Sequence, residues 1–531
     1  MIKPLCLWIA LVPLTQDRPQ LEREWGELRL RAAGDADVAV FAKAVEWALK
    51  YQSNLSPEAV SWAQRSLARG RRRTEDREGS WTRKKGKVLR GFRSGVDQSI
   101  QPYGLIIPAA YDPEHPIRLD VVLHGSQVPD GLSELRFLNQ FDDGDDSGAR
   151  GPERDFIELH PLGRVENGYR WAGETDVFEA IEATCRNYAI DRRRVVLRGM
   201  SMGASGTWHL GLKRPDVFVA LAPYAGYVDT HQFSETPLKT FVKVGPLPTY
   251  QEKTLSMLDS VDYAANAGMV PAVACIGEKD VFFECHQIMG RALKAEGLEP
   301  VNLISPGTGH VIDPATHREQ MRRVGEFAAK GRDDSPRHVR FVTWTLKYSR
   351  CFWLEVLRLR EHYARSEIDA RLSEPDTLDI AEPRNISCFA IHPPLTGLVR
   401  IRVGKTEIPV PESARRGSIL VEDRDGAWSL TQKPPTEGKR PGLQGPIDDA
   451  FAGSFLCVRG TGTPWNVAVH SRSEEILRQF SEEWSYHFRG ELPVKDDARV
   501  TEDDVRKHHL ILFGDPGSNR WIAQALPNLP L

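Results

Sequence analysis

Apolar residues recur at helical spacing through the first part of the chain: Leu21, Trp25, Leu28 and Leu30, then Val38, Phe41, Val45 and Leu49. Ser56 followed by Pro57 marks the start of a further helix. A helical region is therefore predicted from Leu21 to about Arg73. From Val88 the period changes. Val88, Arg90 and Phe92, then Ile100 and Ile106, predict two extended segments joined by a polar turn. Short apolar runs follow at Leu119–Leu123, Phe156–Leu159, Val195–Leu197, Val217–Leu221, Ala272–Ile276 and Val301–Ile304. Between them the pattern is helical, at Glu174–Tyr188, Ala204–Lys213 and Glu319–Ala329. Buried strands alternating with helices predict an α/β domain over residues 88–332, with a mostly parallel sheet covered on both faces.

Residues 338–433 read differently. Val339, Phe341, Thr343, Phe352–Leu357 and Leu398–Val403 suggest short antiparallel strands, and Asp423–Gly426 is a hairpin turn between Leu420–Glu422 and Trp428–Leu430. A small β-rich domain is expected there, then a Pro/Gly/Lys linker over 434–449. Residues 450–531 carry Phe455–Val458, a helix at Ser473–Tyr486 and Leu510–Phe513, which predicts a second α/β unit. With so few strands it is expected to bury little surface and to be incomplete, because the chain stops on the approach to another strand. The basic stretch Arg69–Lys87 is interrupted by Glu75, Asp76 and Glu78, so it is expected to be a solvated linker closing a helical N-terminal region over 17–87. At residues 1–16, Lys3 precedes an apolar run from Leu5 to Leu14. That run is too short to span a bilayer and has the shape of a secretory signal peptide. A secreted or periplasmic protein without stable membrane insertion is expected.

Charge narrows the function. Lys+Arg 70 against Asp+Glu 73 gives a net charge of -3, without the basic excess of a nucleic-acid binder. Seven scattered cysteines show no CxxC pair and no Cys/His zinc spacing, so neither a structural zinc nor a redox dithiol is expected, and the serine chemistry read below calls for no metal and no cofactor. The acidic run Phe141–Asp146 lacks the calcium-loop pattern and reads as a solvated loop or lid. Gly514–Asn519 follows a strand and precedes a helix. It can hold an anion on its backbone N–H groups, but it lacks the dinucleotide fingerprint and the P-loop lysine, which favours a plain turn.

The chemistry concentrates at Gly199-Met200-Ser201-Met202-Gly203, between the strand Val195–Leu197 and a helix. That is the setting of a G-x-S-x-G nucleophile elbow: a tight turn lifts the serine hydroxyl to the carboxyl edge of the sheet. The Met202 N–H, at the helix N-terminus, is then placed to stabilise an oxyanion. An acid and then a histidine must follow. Asp280 stands just past the strand Ala272–Ile276, and His310 on the glycine-rich loop after Val301–Ile304. In this arrangement His310 takes the proton from Ser201, and Asp280 orients the imidazole. Glu278 is a rival acid; His209 and His286 are rival bases. His124-Gly125-Ser126 ends an earlier strand and offers a second oxyanion donor from Ser126 or Gln127. Tyr169, Arg170 and Trp171 follow the strand Phe156–Leu159, at the edge where substrates bind, with Arg170 suited to a carboxylate.

The run GMSMGASGTW at Gly199–Trp208 resembles the elbow of the prolyl-oligopeptidase-like and feruloyl-esterase-like branch of the α/β hydrolases, whose usual form is G-x-S-M-G-G-x-G-T-W. Ala204 departs from the second glycine of that run. QPYGLIIP at Gln101–Pro108, NGYRWAGETDVFEA at Asn167–Ala180 and GEKD at Gly277–Asp280 also fit. The resemblance implies an α/β-hydrolase fold and a serine hydrolase acting on an ester or peptide, in the secreted multidomain form known from bacteria. No propeller precedes the domain, which counts against size-filtered oligopeptide cleavage. The competing reading is a catalytically inactive relative that binds a glycan or a protein partner. A fluorophosphonate probe separates the two.

Overall fold

The computed structural model describes residues 17–529 apart from 33, 77, 142–150, 235–243 and 396. The leader at 1–16 and the acidic residues 142–146 lie outside the described residues. Three helices open the fold: α1 (Asp17–Arg31), α2 (Ala36–Tyr51) and α3 (Pro57–Glu75). Asp35 caps α2 by accepting the N–H groups of Asp37 and Val38, and Ser56 caps α3 from Ala59. Their apolar faces, through Leu28, Phe41, Val45 and Leu67, pack against Leu89, Leu135, Phe137 and Leu162. The expected solvated linker is corrected here. Arg69 and Arg73 are buried, and Arg73 stacks 3.8 Å above the Trp81 ring while donating to the Asp37 and Leu89 carbonyls. A long arginine covers apolar surface with its stem, which a count of charges does not register.

The central sheet has eight strands: β1 (Gly86–Arg93), β2 (Ile100–Ile107), β3 (Ile117–Leu123), β4 (Phe156–Pro161), β5 (Ile190–Met200), β6 (Ala220–Tyr224), β7 (Val273–Gly277) and β8 (Val301–Ser305). Their order is β1-β2-β4-β3-β5-β6-β7-β8. β2 runs antiparallel to β1 and β4, and the pairs from β4 through β8 are parallel. Helices α4 (Ser133–Gln140), α5 (Ala172–Asn187) and α6 (Met202–Lys213) lie in the crossovers. The chain leaves β3 toward β4 and leaves β5 toward β6 on the opposite side, so a crevice opens between the carboxyl ends of β3 and β5. β6 starts later than its predicted counterpart, Val217–Leu221. The run Val217–Ala222 is continuously apolar, and periodicity cannot place a strand end within such a run.

Residues His338 to Thr431 form two five-stranded sheets that share one core, including Phe341, Trp353, Phe389, Ile401 and Trp428. The buried Asn266 side chain ties this sandwich to the central domain: its Nδ2 donates to the Leu212 and Val342 carbonyls at 2.8 and 2.9 Å, and its Oδ1 accepts from Val342 N–H at 2.8 Å. The last unit is a parallel sheet of Val494–Asp496, Phe455–Arg459 and His509–Phe513, in that spatial order, with a long helix Val467–Phe488. Its three strands do bury a core, because neighbouring residues complete it. Val96 and Ala172 pack with Phe455, Cys457, Leu477 and Trp484. Among the described residues, no helix is long and apolar enough to cross a membrane.

Candidate active site

β5 runs into the turn that carries Ser201, held at φ 57°, ψ −122°. That conformation is sparsely populated for any residue with a Cβ and persists only when its surroundings impose it. The glycines are part of that constraint. A Cβ on Gly203 would lie 2.1 Å from the Leu123 carbonyl oxygen, and one on Gly199 would lie 2.5 Å from the Gly203 backbone. Ser201 N–H donates to the Tyr224 carbonyl at 2.9 Å, and its own carbonyl accepts from Ala204 and Ser205. The hydroxyl does not cap α6.

β7 and β8 end in two loops that close on each other. A Cβ on Gly277 would lie 2.0 Å from the Gly309 oxygen, and Lys279 N–H donates to the Thr308 carbonyl at 2.8 Å. Asp280 is thereby buried. One carboxylate oxygen accepts the Phe282 N–H at 2.9 Å, and the other faces His310 Nδ1 at 2.9 Å. A carboxylate only accepts, so Nδ1 carries a proton, and in the neutral ring Nε2 is the nitrogen with the lone pair. The His310 ring also stands edge-on to Phe282, with centroids 5.4 Å apart. Glu278 is spent elsewhere, accepting the Gly307 N–H at 2.7 Å. His209 is buried in α6 between Lys213 and Tyr348, and burial pushes its imidazole down to about 3. Burial likewise pushes His286 down to about 4.

A pocket of about 370 Å³ opens over Ser201 and Met202, lined further by Ser126, Glu166, Arg170, Trp171, Tyr227, Leu258 and Phe282. Gly125 stands directly beside the serine: a Cβ there would lie 3.5 Å from that of Ser201. Three expectations change. Gln127 N–H is taken by Glu166 Oε2 at 2.6 Å, so of the two expected loop donors Ser126 is left. The Ser126 hydroxyl donates to the other oxygen of Glu166. Tyr169 is buried beneath the site, its hydroxyl donating to the His124 carbonyl at 3.1 Å, and it does not line the pocket. Its bulk fills the space that Gly163 and Gly206 leave open. Arg170 lines the pocket, but its guanidinium donates to the Gly168 and Leu258 carbonyls and to the Tyr227 hydroxyl, each at 2.9 Å. It braces the wall and is not a free carboxylate reader.

Trp171 lines the pocket and shares a feature with the serine. It begins α5 at φ 52°, ψ −127°, again without a side-chain cap. Two helices thus start at the pocket from the same strained conformation. Sequence reasoning missed Glu166, Tyr227 and Phe282. Tyr227 follows the carboxyl end of β6, and the early placement of that strand hid it. Among the described residues, no three His, Cys, Asp or Glu side chains are grouped to hold a metal ion.

This strand order, with a strained serine turn after β5 and an Asp–His pair after β7 and β8, meets a match over residues 166–333 to the prolyl oligopeptidase family. The chain contains an α/β-hydrolase domain. Several solved structures are similar to part of the chain. A ferulic acid esterase matches at 19% identity, covering 46% of this chain and 98% of that one, with a TM-score of 0.35. A fluorophosphonate-binding serine hydrolase of Staphylococcus aureus, with substrate bound, matches at 14% over 46% and 98%, with a TM-score of 0.35. The acylaminoacyl peptidase of Pyrococcus horikoshii matches at 17%, over 47% of this chain but only 42% of its own length, with a TM-score of 0.35. No curated protein matches this chain.

Proposed function

We propose that the hydrolase domain cleaves an ester or amide through an acyl-enzyme, with Ser201 as nucleophile, His310 as base and Asp280 as its orienting acid. The observation that carries this reading is the His310–Asp280 hydrogen bond of 2.9 Å on the sheet edge that also presents Ser201. His310 Nε2 removes the serine proton as the hydroxyl oxygen attacks the carbonyl carbon. The oxyanion is stabilised by the Met202 N–H and the Ser126 N–H. His310 then protonates the leaving group, and the same nitrogen activates water to release the acid.

An ester is the substrate we expect to be cleaved faster than a peptide. Trp171, Tyr227, Leu258 and Phe282 give the pocket wall an apolar side that suits a compact acyl group, beside the polar Ser126, Glu166 and Arg170. An amide also needs its nitrogen held for protonation, and among the described residues the lining supplies no evident clamp for a peptide backbone. The test is labelling with a fluorophosphonate, located by peptide mass spectrometry, then kcat/KM for a short aryl ester against prolyl and alanyl anilides. Label on Ser201 and faster ester cleavage are expected. An unlabelled chain overturns the proposal, and anilides faster by about tenfold replace the esterase reading with a peptidase one.

A further inference from the structure

The long C-terminal helix Val467–Phe488 ends against both loops that line the pocket. Arg489, the residue after it, is fully buried in the left-handed region at φ 56°. Its Nε and Nη2 donate to the two carboxylate oxygens of Glu134 at 2.8 and 2.6 Å, and Nη2 also donates to the Asp130 carbonyl at 2.9 Å. The Tyr486 hydroxyl donates to the Pro129 carbonyl at 2.9 Å. Pro129 and Asp130 continue the loop of Ser126 and Gln127. The other loop is held by the neighbouring residue: the Phe488 carbonyl accepts from Arg164 Nη1 at 3.0 Å. Arg164 is itself buried between Asp97 and Asp176, and the Trp484 indole N–H donates to Asp97 at 2.9 Å.

Two residues past Arg164 stands Glu166, which accepts from the Ser126 hydroxyl and the Gln127 N–H. The contacts therefore close a ring. The helix end holds Pro129 and Asp130, their loop bonds to Glu166, and Arg164 returns to the helix end. A buried ion pair adds little net stability over apolar groups of the same size. A bidentate arginine–carboxylate fork does fix angle and register. We propose that Arg489 is a positioning residue, through which the C-terminal unit sets the Ser126 loop against Ser201. This inference rests on the proposed function.

The test uses the full chain and a short aryl ester, well below the melting midpoint. Arg489→Met combined with Glu134→Met removes both charges and leaves no unpaired carboxylate. Tyr486→Phe removes one hydrogen bond. Ile401→Ala, in the sandwich core, is the control for plain destabilisation. We expect the double variant to lose about tenfold or more in kcat with KM nearly unchanged, because a displaced donor fails the transition state rather than the substrate. Tyr486→Phe should lose about threefold with Tm held within about 2 °C. Ile401→Ala should lower Tm and keep kcat. The inference is overturned if the double variant loses no more kcat than Ile401→Ala. If the double variant does not fold, Tyr486→Phe decides, and unchanged kcat there overturns the inference. A wild-type chain that neither hydrolyses ester nor takes the fluorophosphonate overturns the proposed function instead, and the inference with it.

Discussion

Two strand–turn–helix junctions in this molecule start from the same topology and end differently. After β5, Ser201 begins α6 in a strained conformation, uncapped, at the floor of a pocket of about 370 Å³. After the strand His509–Phe513, the turn Gly514–Asn519 closes on itself. Asp515 Oδ1 accepts the N–H groups of Gly517 and Ser518, each at 2.9 Å, and its other oxygen accepts the Trp465 N–H at 2.9 Å. Asn519 then caps the following helix by accepting from Trp521 N–H. The anion site considered for this turn is thus filled by the turn's own carboxylate. The contrast shows what separates a site from a connection. Both junctions offer N–H groups at a helix start, and only the first leaves them without a side-chain cap. Forgoing a cap costs about 1 kcal/mol, which is tolerable where the helix end is needed for chemistry.

The sharpest test of that contrast is at the serine. Ser201→Ala should lower ester hydrolysis by about four orders of magnitude or more, with the fold kept, and His310→Ala should be similarly damaging because the members act as a unit. Steady-state kinetics with circular dichroism as the folding check decides it. Activity within about tenfold of wild type removes the triad. Next is Gly203→Ala. Its Cβ would meet the Leu123 carbonyl oxygen at 2.1 Å, where backbone cannot yield cheaply. A loss of about 3 kcal/mol in urea unfolding is expected, together with most of the activity, since β3 and α6 must part.

Acid should act on the two junctions in different windows. Burial pushes His209, on α6, down to about 3 and His286 down to about 4, so both are neutral in the folded chain. Unfolded, they take up protons below about pH 6.5. The stability their neutral forms provide is therefore present above that value and is lost as pH falls toward the folded values. At the C-terminal turn, burial alone would raise the Asp515 carboxyl. The N–H groups of Ser518, Trp465 and Gly517 outweigh it and hold the group below the usual carboxylate range. Its contribution is present above about pH 4 and lost only below. The urea midpoint should thus fall between about pH 6.5 and 4.5, and His286→Phe should flatten part of that fall. A midpoint constant over this window contradicts the burial argument.

Much of the placement of the candidate site was legible in the sequence. Ser201, Asp280 and His310 each follow an apolar run by a few residues, and the carboxyl ends of parallel strands converge. The choice of Asp280 over Glu278 was legible only as an order of preference; the Gly307 N–H on Glu278 makes the distinction. The roles of Tyr169 and Gln127 could not be read, because both depend on partners far along the chain, His124 and Glu166. The C-terminal unit was misjudged for a similar reason. Counting its own strands left out Val96 and Ala172, which complete its core from more than 280 residues away. Local pattern reports which face of an element is apolar, not what covers it.

The smallest effect tests whether Asp515 really stands in for an anion. Asp515→Ala leaves the N–H groups of Gly517, Ser518 and Trp465 without their acceptor. Water can reach this turn, which is only partly buried, so the loss should be modest: Tm lower by about 3 °C. Ester hydrolysis should stay within about twofold of wild type, because the turn lies in a different sheet from Ser201 and no member of the ring around Arg489 is touched. Inorganic phosphate supplies the sharper measurement. The N–H groups of Gly517, Ser518 and Trp465 converge on one acceptor, and in the wild type the Asp515 carboxylate occupies that place. Millimolar phosphate should therefore raise the Tm of Asp515→Ala more than that of wild type, by mass action on the folded state, with chloride at equal ionic strength as the blank. Equal shifts for the two proteins would mean that Asp515 holds the turn shut by geometry alone and that no anion site lies beneath it.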